Sequence, residues 1–307
     1  MSDSAADGRP AANILKRILV ATDFSAAAHL AVWRAGQLAK QNDAYLHVIH
    51  ARPDWNLFAG SLSSVADHYR AITEHGEQAL TEELAFIERT FGIHARGETR
   101  VGRASQVLRS VIAEIEPHLI IAGARGEHAS RTMAPFLGGT ALKLIAFASS
   151  PVLIVRTAGV GPYTVAAVAV ECPSATARSL VLWANALLRA GDCHVVHAFD
   201  LPYLERLRKR DVSELAIQVS TDEVRKTAQR FVDDVVSEAA ASGLRLHAHL
   251  VCGEAVGAVL AEIDRCRPDL VVVGKHEHPP REALITALGS VAMRIAYHAP
   301  GDVLVVP

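Results

Sequence analysis

Short runs of β-branched and aliphatic residues alternate along the chain with longer stretches in which apolar positions return every three or four residues. The short runs at 17–22, 44–51, 94–101, 118–123 and 152–156 predict strands, and the unbroken apolarity of Leu119-Ile120-Ile121-Ala122 predicts burial on both faces, as in a parallel sheet covered by helices. The stretches 26–41, 65–91, 104–115 and 138–148 carry the helical period. Strand-like runs then recur at about 164–170, 193–199, 245–252, 269–273 and 302–306. This alternation predicts an α/β fold of two flavodoxin- or Rossmann-like domains, each a doubly wound, five-stranded parallel sheet of strand order 2-1-3-4-5 or 3-2-1-4-5.

The recurrence is a duplication. Gly102, Pro117, Leu119, Gly123, Gly138 and Val152 are matched by Gly253, Pro268, Leu270, Gly274, Gly289 and Val303, each 151 residues later. Nearer the start of each copy the offset shortens to 148 for Val20-Ala21-Thr22-Asp23 against Val168-Ala169-Val170-Glu171, and to 147 for HVIHA at 47–51 against HVVHA at 194–198. A Gly/Pro linker around 157–162 separates the copies, so the expected layout is a loose tail at 1–13, one domain at 14–158 and a second at 163–307.

Composition narrows the partners. With 307 residues, 50% hydrophobic and 21% charged, the chain has enough apolar material for two cores, and its net charge of −2 disfavours nucleic acid. The most apolar run, Leu144 to Val155, is broken by Ser149, Ser150 and Pro151 and is too short for membrane insertion. The acidic start MSDSAADGRP does not read as an export signal. Cys172, Cys193, Cys252 and Cys266 form no CxxC pair, which suits reduced thiols in a cytoplasm.

A doubly wound sheet binds ligands outside the carboxyl ends of its strands, where the winding reverses. That directs attention to Asp23, to the residues after His50, and to Gly123-Ala124-Arg125-Gly126, with Glu171, the residues after His197 and the loop from Gly274 as counterparts. Leu137-Gly138-Gly139-Thr140-Ala141 opens a helix, and glycines beside a helix N-terminus can bring backbone N–H groups to a phosphate. Two readings stay open: a phosphate cradle, or a tight turn after the strand with Thr140 or Ser290 capping a helix. No GKS or GKT and no GxGxxG occurs.

Ile18-Leu19-Val20-Ala21-Thr22-Asp23-Phe24-Ser25, the Leu46-His47-Val48 strand, the GARG loop, Phe136-Leu137-Gly138-Gly139-Thr140 and Pro151-Val152-Leu153-Ile154-Val155 together resemble a universal stress protein domain, and the second copy repeats the pattern. The chain resembles a tandem universal stress protein, which implies an adenine nucleotide alpha hydrolase-like fold. The resemblance implies a nucleotide site at Asp23, Val48, Gly123, Gly126, Gly138, Gly139 and Thr140, with ATP and magnesium as ligand. The pattern is altered: eleven residues, not nine, separate Gly126 from Gly138, and Gly139 stands where a hydroxyl is usual. In the second copy Glu171 replaces Asp23 and Glu277 replaces Gly126, so Glu171, Gly274, Gly289 and Ser290 make a degenerate equivalent in which a carboxylate repels phosphate.

The lengthened loops carry Arg125, His128 and Arg131 in one copy and Lys275, His276, His278 and Arg281 in the other, either to complement an anion or to form a solvated face. In a strand His47 and His50 point to opposite faces and cannot chelate together, whereas His247 and His249 share a face. The basic run at Arg206, Arg208, Lys209 and Arg210 reads as a solvated helix face, and Trp33 and Trp183 read as core. No catalytic or metal-ligand constellation is legible. The expectation is a cytoplasmic, non-enzymatic stress-response protein that binds a nucleotide in its first copy and forms an internal pseudo-dimer, with a homodimer and slow ATP hydrolysis left open. The alternative is a module for a metal or a lipid-like small molecule, without nucleotide.

Overall fold

The computed structural model of the chain describes residues 15–52, 63–125, 137–157, 161–171, 176–188, 190–200, 213–240, 243–275 and 290–307. The tail, Gly126, His128, Arg131, Cys172, the basic run at 206–210, His276, Glu277, His278, Arg281 and Gly289 lie outside the described residues, as does the side chain of Ser290.

The first copy runs β1 (Arg17–Thr22), α1 (Ala26–Asn42), β2 (Tyr45–Arg52), α2 (Ser63–Phe91), β3 (Ala95–Val101), α3 (Ala104–Ile115), β4 (Leu119–Gly123), α4 (Gly139–Phe147) and β5 (Val152–Val155). The second runs β6 (Val165–Ala169), α5 (Ala177–Leu188), β7 (Asp192–Phe199), α6 (Glu214–Ala239), β8 (Arg245–Cys252), α7 (Ala255–Cys266), β9 (Leu270–Gly274), α8 (Ser290–His298) and β10 (Asp302–Val306). The predicted strands fall within a residue or two of these.

Two compact units result, and they do not follow the sequence halves: Leu15–Pro162 is joined by Asp269–Pro307, while Tyr163–Pro268 forms the other. In the first unit the strand order is β3-β2-β1-β4-β5-β10-β9, so the first copy has the order 3-2-1-4-5. Its pairs are parallel except β5 with β10, which run antiparallel with Leu153 opposite Leu304. Every residue of β5 and β10 is buried, so an apolar edge that would template foreign pairing is closed by the chain itself. In the second unit β6-β7-β8 are parallel.

The helices follow from their apolar spacing. On α1, Ala28, Ala31, Val32, Ala35, Leu38 and Ala39 are buried at helical intervals, and Ser25 caps the N-terminus by accepting from the Ala28 N–H at 3.2 Å. Trp33 packs edge-on to Phe91 of α2 with ring centroids 5.7 Å apart.

Backbone detail repeats with the sequence. Glu116 and Arg267, 151 residues apart, end α3 and α7 in the left-handed conformation (φ 46° and 48°), each before a proline. Gly102 and Gly253 share φ near 145°, outside the range of ordinary side chains, and donate to Arg52 O at 2.8 Å and Phe199 O at 3.0 Å respectively.

Asp302, fully buried at the start of β10, accepts from the Arg156 N–H (2.8 Å), the Thr157 N–H (3.1 Å) and the Thr157 hydroxyl (3.2 Å). Arg34, also buried, lies 3.6 Å away and donates to Gly161 O at 2.8 Å. The Arg156 guanidinium donates to the carbonyls of Ala296, Tyr297 and Ala299 at the end of α8. Among the described residues no helix is long and apolar enough to cross a membrane.

Candidate functional site

The crevice builds up from the end of β1. Thr22 is the last strand residue; Asp23 follows it, and Phe24 turns into the left-handed region at φ 62°, a conformation costly for an aromatic residue and held by its N–H donating to the Thr22 hydroxyl at 3.1 Å. The Asp23 carboxylate accepts the Ser25 N–H at 3.1 Å. The backbone therefore swings sharply from strand to helix and leaves Asp23 on a cavity of about 400 Å³. That volume lies within the ~300–1,000 Å³ range of small-molecule sites.

The cavity has two kinds of wall. Asp23, Gly123, Arg125, Gly138, Gly139, Thr140 and Lys143 form the polar part, while Ile49, Ala51, Ala104 and Leu108 line the apolar part. Gly138 is the N-cap of α4 and among the described residues no side chain caps that helix, so the first-turn amides and the positive end of the helix dipole lie where Thr140 and Lys143 also lie. The two glycines serve different needs. A Cβ on Gly123 would come within 2.7 Å of Ala27 O and 2.8 Å of Ala27 C, so this glycine lets β4 end against the first turn of α1. A Cβ on Gly139 would meet none of the described residues within 4 Å. Such a cavity suits a ligand with an anionic end and a flat or apolar remainder.

Of the residues singled out in the first copy, Asp23, Gly123, Gly138, Gly139 and Thr140 come together on this cavity. Val48 is buried in β2 and is not among the lining residues; its neighbours Ile49 and Ala51 are. Lys143 and the α3 residues Ala104 and Leu108 were not foreseen, because nothing in their local spacing separates them from ordinary helix positions. Glu83 of α2 sits close behind: burial pushes its carboxyl above the usual glutamate range, the Thr22 hydroxyl and His29 partly offset this, and Asp23 adds to it.

Among the described residues the second copy differs after its first and fourth strands. Glu171 is exposed. Gly274 ends β9, and Lys275 after it turns its amine to the carbonyls of Ala146 (2.9 Å) and Ala148 (3.4 Å) at the end of α4, a helix terminus that attracts cations. This lysine is engaged in packing, not presented to an anion. The histidines at the strand ends do keep one role: His50 Nδ1 meets Thr22 O at 3.0 Å and His197 Nδ1 meets Val170 O at 2.9 Å, each tying the second strand of its copy to the exit of the first.

The family model of the universal stress protein family matches the chain twice, over residues 15–156 and 162–307. No curated protein matches the sequence. Among solved structures, a universal stress protein from Archaeoglobus fulgidus DSM 4304 is similar over 96% of this chain and 98% of its own, at 20% identity and a TM-score of 0.67. A protein of unknown function from Pseudomonas aeruginosa PAO1 is similar over 96% of this chain and 94% of its own, at 17% identity and a TM-score of 0.62. At these identities the likeness is one of fold.

Proposed function

This chain belongs to the universal stress protein family as a tandem of two family domains, and we propose that it is a cytoplasmic stress-response protein that binds an adenine nucleotide in its first copy without turning it over. One observation carries the reading: Asp23 shares a cavity with the N-terminus of α4. In this reading Asp23 holds the adenosine moiety, Ile49 and Ala51 bound the base, and Gly123, Gly126, Gly138, Gly139 and Thr140 hold the phosphates with help from Arg125 and Lys143. ATP with magnesium is the ligand that the family pattern favours. Residues 14–158 and 163–307 are the two family domains, and the pairing of β5 with β10 fills the place of a second chain. Ligand binding then acts by stabilising the folded protein, about 2.7 kcal/mol at a hundredfold excess over Kd.

Isothermal titration of ATP with magnesium tests this. The wild type should bind, Asp23→Ala should bind at least tenfold more weakly, and phosphate release should stay at the blank rate for both. Absence of heat with the wild type would remove the nucleotide from the account, and phosphate release above blank that Asp23→Ala abolishes would remove the non-enzymatic clause.

A further inference from the structure

The strands β7 and β8 and the helix α7 bring together side chains that the nucleotide reading does not use. His194 on β7 lies opposite His247 on β8, and His249 lies two residues further along β8, so all three project from one face of the sheet. Cys266 and Glu262 are on α7, which covers that face. One ligand atom from each of His194, His249 and Cys266 lies within 4.8 Å of the others, and His194 Nδ1 is 2.8 Å from His249 Nε2. All three residues are half-buried, open enough for an ion to enter.

The His249 ring turns Nε2 to His194 and Nδ1 to α7. His249 Nδ1 is 2.7 Å from Glu262 Oε1. Without metal the same nitrogen lies 3.0 Å from Arg265 Nη2, which can only donate; coordination through Nε2 puts the ring proton on Nδ1, where Glu262 can accept it. A carboxylate orienting a histidine in this way is the usual outer partner of a zinc-bound imidazole. Glu262 is itself buried and held by Arg265, while His247 stacks on His194 at 4.8 Å between centroids and is anchored to Asp192 at 2.8 Å.

The first copy supplies an internal comparison. At the 151-residue offset, Glu98 stands for His249, Ile115 for Cys266 and Val111 for Glu262, with His47 in place of His194. There the same corner is an ion-pair network: His47 to Glu98 at 3.0 Å, Arg100 to Glu98 at 2.9 Å, and Arg100 to both Glu114 oxygens at 2.7 and 2.6 Å. The fold does not require the donors that the second copy places there.

We propose that His194, His249 and Cys266 form a three-ligand zinc site with Glu262 as the positioning residue for His249 and a fourth coordination position open to water or an added ligand. Two imidazoles and a thiolate suit zinc better than calcium or magnesium. Tetrahedral zinc with Zn–N of ~2.0–2.1 Å and Zn–S of ~2.3 Å sets its ligand atoms about 3.3–3.8 Å apart, so side-chain movements of about 1 Å or less convert a cluster spanning 2.8 to 4.8 Å into the bound form. Coordination releases one proton, from the Cys266 thiol; His194 stays neutral by carrying its ring proton on Nε2.

The test uses the full chain purified without an affinity tag, with Co²⁺ as the optical probe and Zn²⁺ as competitor. One Co²⁺ per chain should bind, with a thiolate-to-cobalt charge-transfer band that stoichiometric Zn²⁺ removes. Cys266→Ser should lose the band, whereas Cys252→Ser, on the other face of β8, should keep it. Glu262→Gln should weaken zinc by about 10–100-fold while retaining the band at saturation. Far-ultraviolet circular dichroism checks that each variant is folded. A folded wild type that shows no band, or a band that survives in Cys266→Ser, overturns the proposal. The nucleotide titration of Asp23→Ala is unaffected by either result, so the two readings fail separately.

Discussion

Past the end of β1, Asp23 lies over a cavity of about 400 Å³; past the end of β6, Glu171 is exposed. On β2 and β3, His47, Glu98 and Arg100 form ion pairs; on β7 and β8 the equivalent corner holds His194 and His249 beside Cys266. The backbone repeats between the copies at the left-handed turns of Glu116 and Arg267 and at the unusual φ of Gly102 and Gly253. Duplication has preserved the features that let the chain turn and pack, while the side chains at strand ends and on the outer strands have diverged. Fold and chemistry are separable here, and family membership speaks to the first.

The largest test of that separation concerns packing. Asp302 begins β10, and the residue 151 positions earlier is Pro151, so the buried carboxylate is peculiar to the second copy's last strand. Asp302→Ala strands Arg34 without its buried counter-charge and leaves the Arg156 and Thr157 amides without their acceptor. Urea unfolding should register a loss of about 3–5 kcal/mol. A loss below about 1 kcal/mol would mean that the apolar pairing of β5 and β10 suffices alone.

Next in size come the glycines. Gly123→Ala forces a Cβ against the Ala27 backbone and should destabilise by about 1–3 kcal/mol, whereas Gly139→Ala, with open space around its Cβ, should stay within about 0.5 kcal/mol. Thermal denaturation of both variants separates the structural glycine from the one free to face a ligand. Equal losses would erase the distinction.

The smallest effect is a pH dependence confined to the first copy. Burial raises the Glu83 pKa in the folded protein, so the stabilisation this group gives is complete below its unfolded value and is lost as pH rises through the folded one. Glu83→Gln should therefore gain on the wild type in melting temperature between pH 4 and pH 8. A gap that narrows with rising pH would contradict the assignment.

Much of this was legible in the sequence because the signals are local or periodic. Leu119-Ile120-Ile121-Ala122 could only be a strand buried on both faces, and the constant offset exposed the repeat. The glycine at 123 and Asp23 at a strand exit follow from neighbours along the chain. The unit formed by Leu15–Pro162 with Asp269–Pro307 was not legible, since the partner of β5 is set by long-range pairing of two uniformly apolar strands. Nor was the His194, His249 and Cys266 cluster: its members are separated by 55 and 17 residues and carry no fixed-spacing motif, so only the register of β7 with β8 and the placing of α7 unite them. Lys143 and Leu108 reach the first cavity for the same reason, as helix residues whose facing is set by packing.

The central claim is that two copies of one fold offer one nucleotide site. Equilibrium dialysis with labelled ATP and magnesium, on the wild type, Asp23→Ala and Glu171→Ala, counts sites directly. One nucleotide per chain, lost in Asp23→Ala and retained in Glu171→Ala, is the predicted result; two per chain, or an equal loss in both variants, would contradict it.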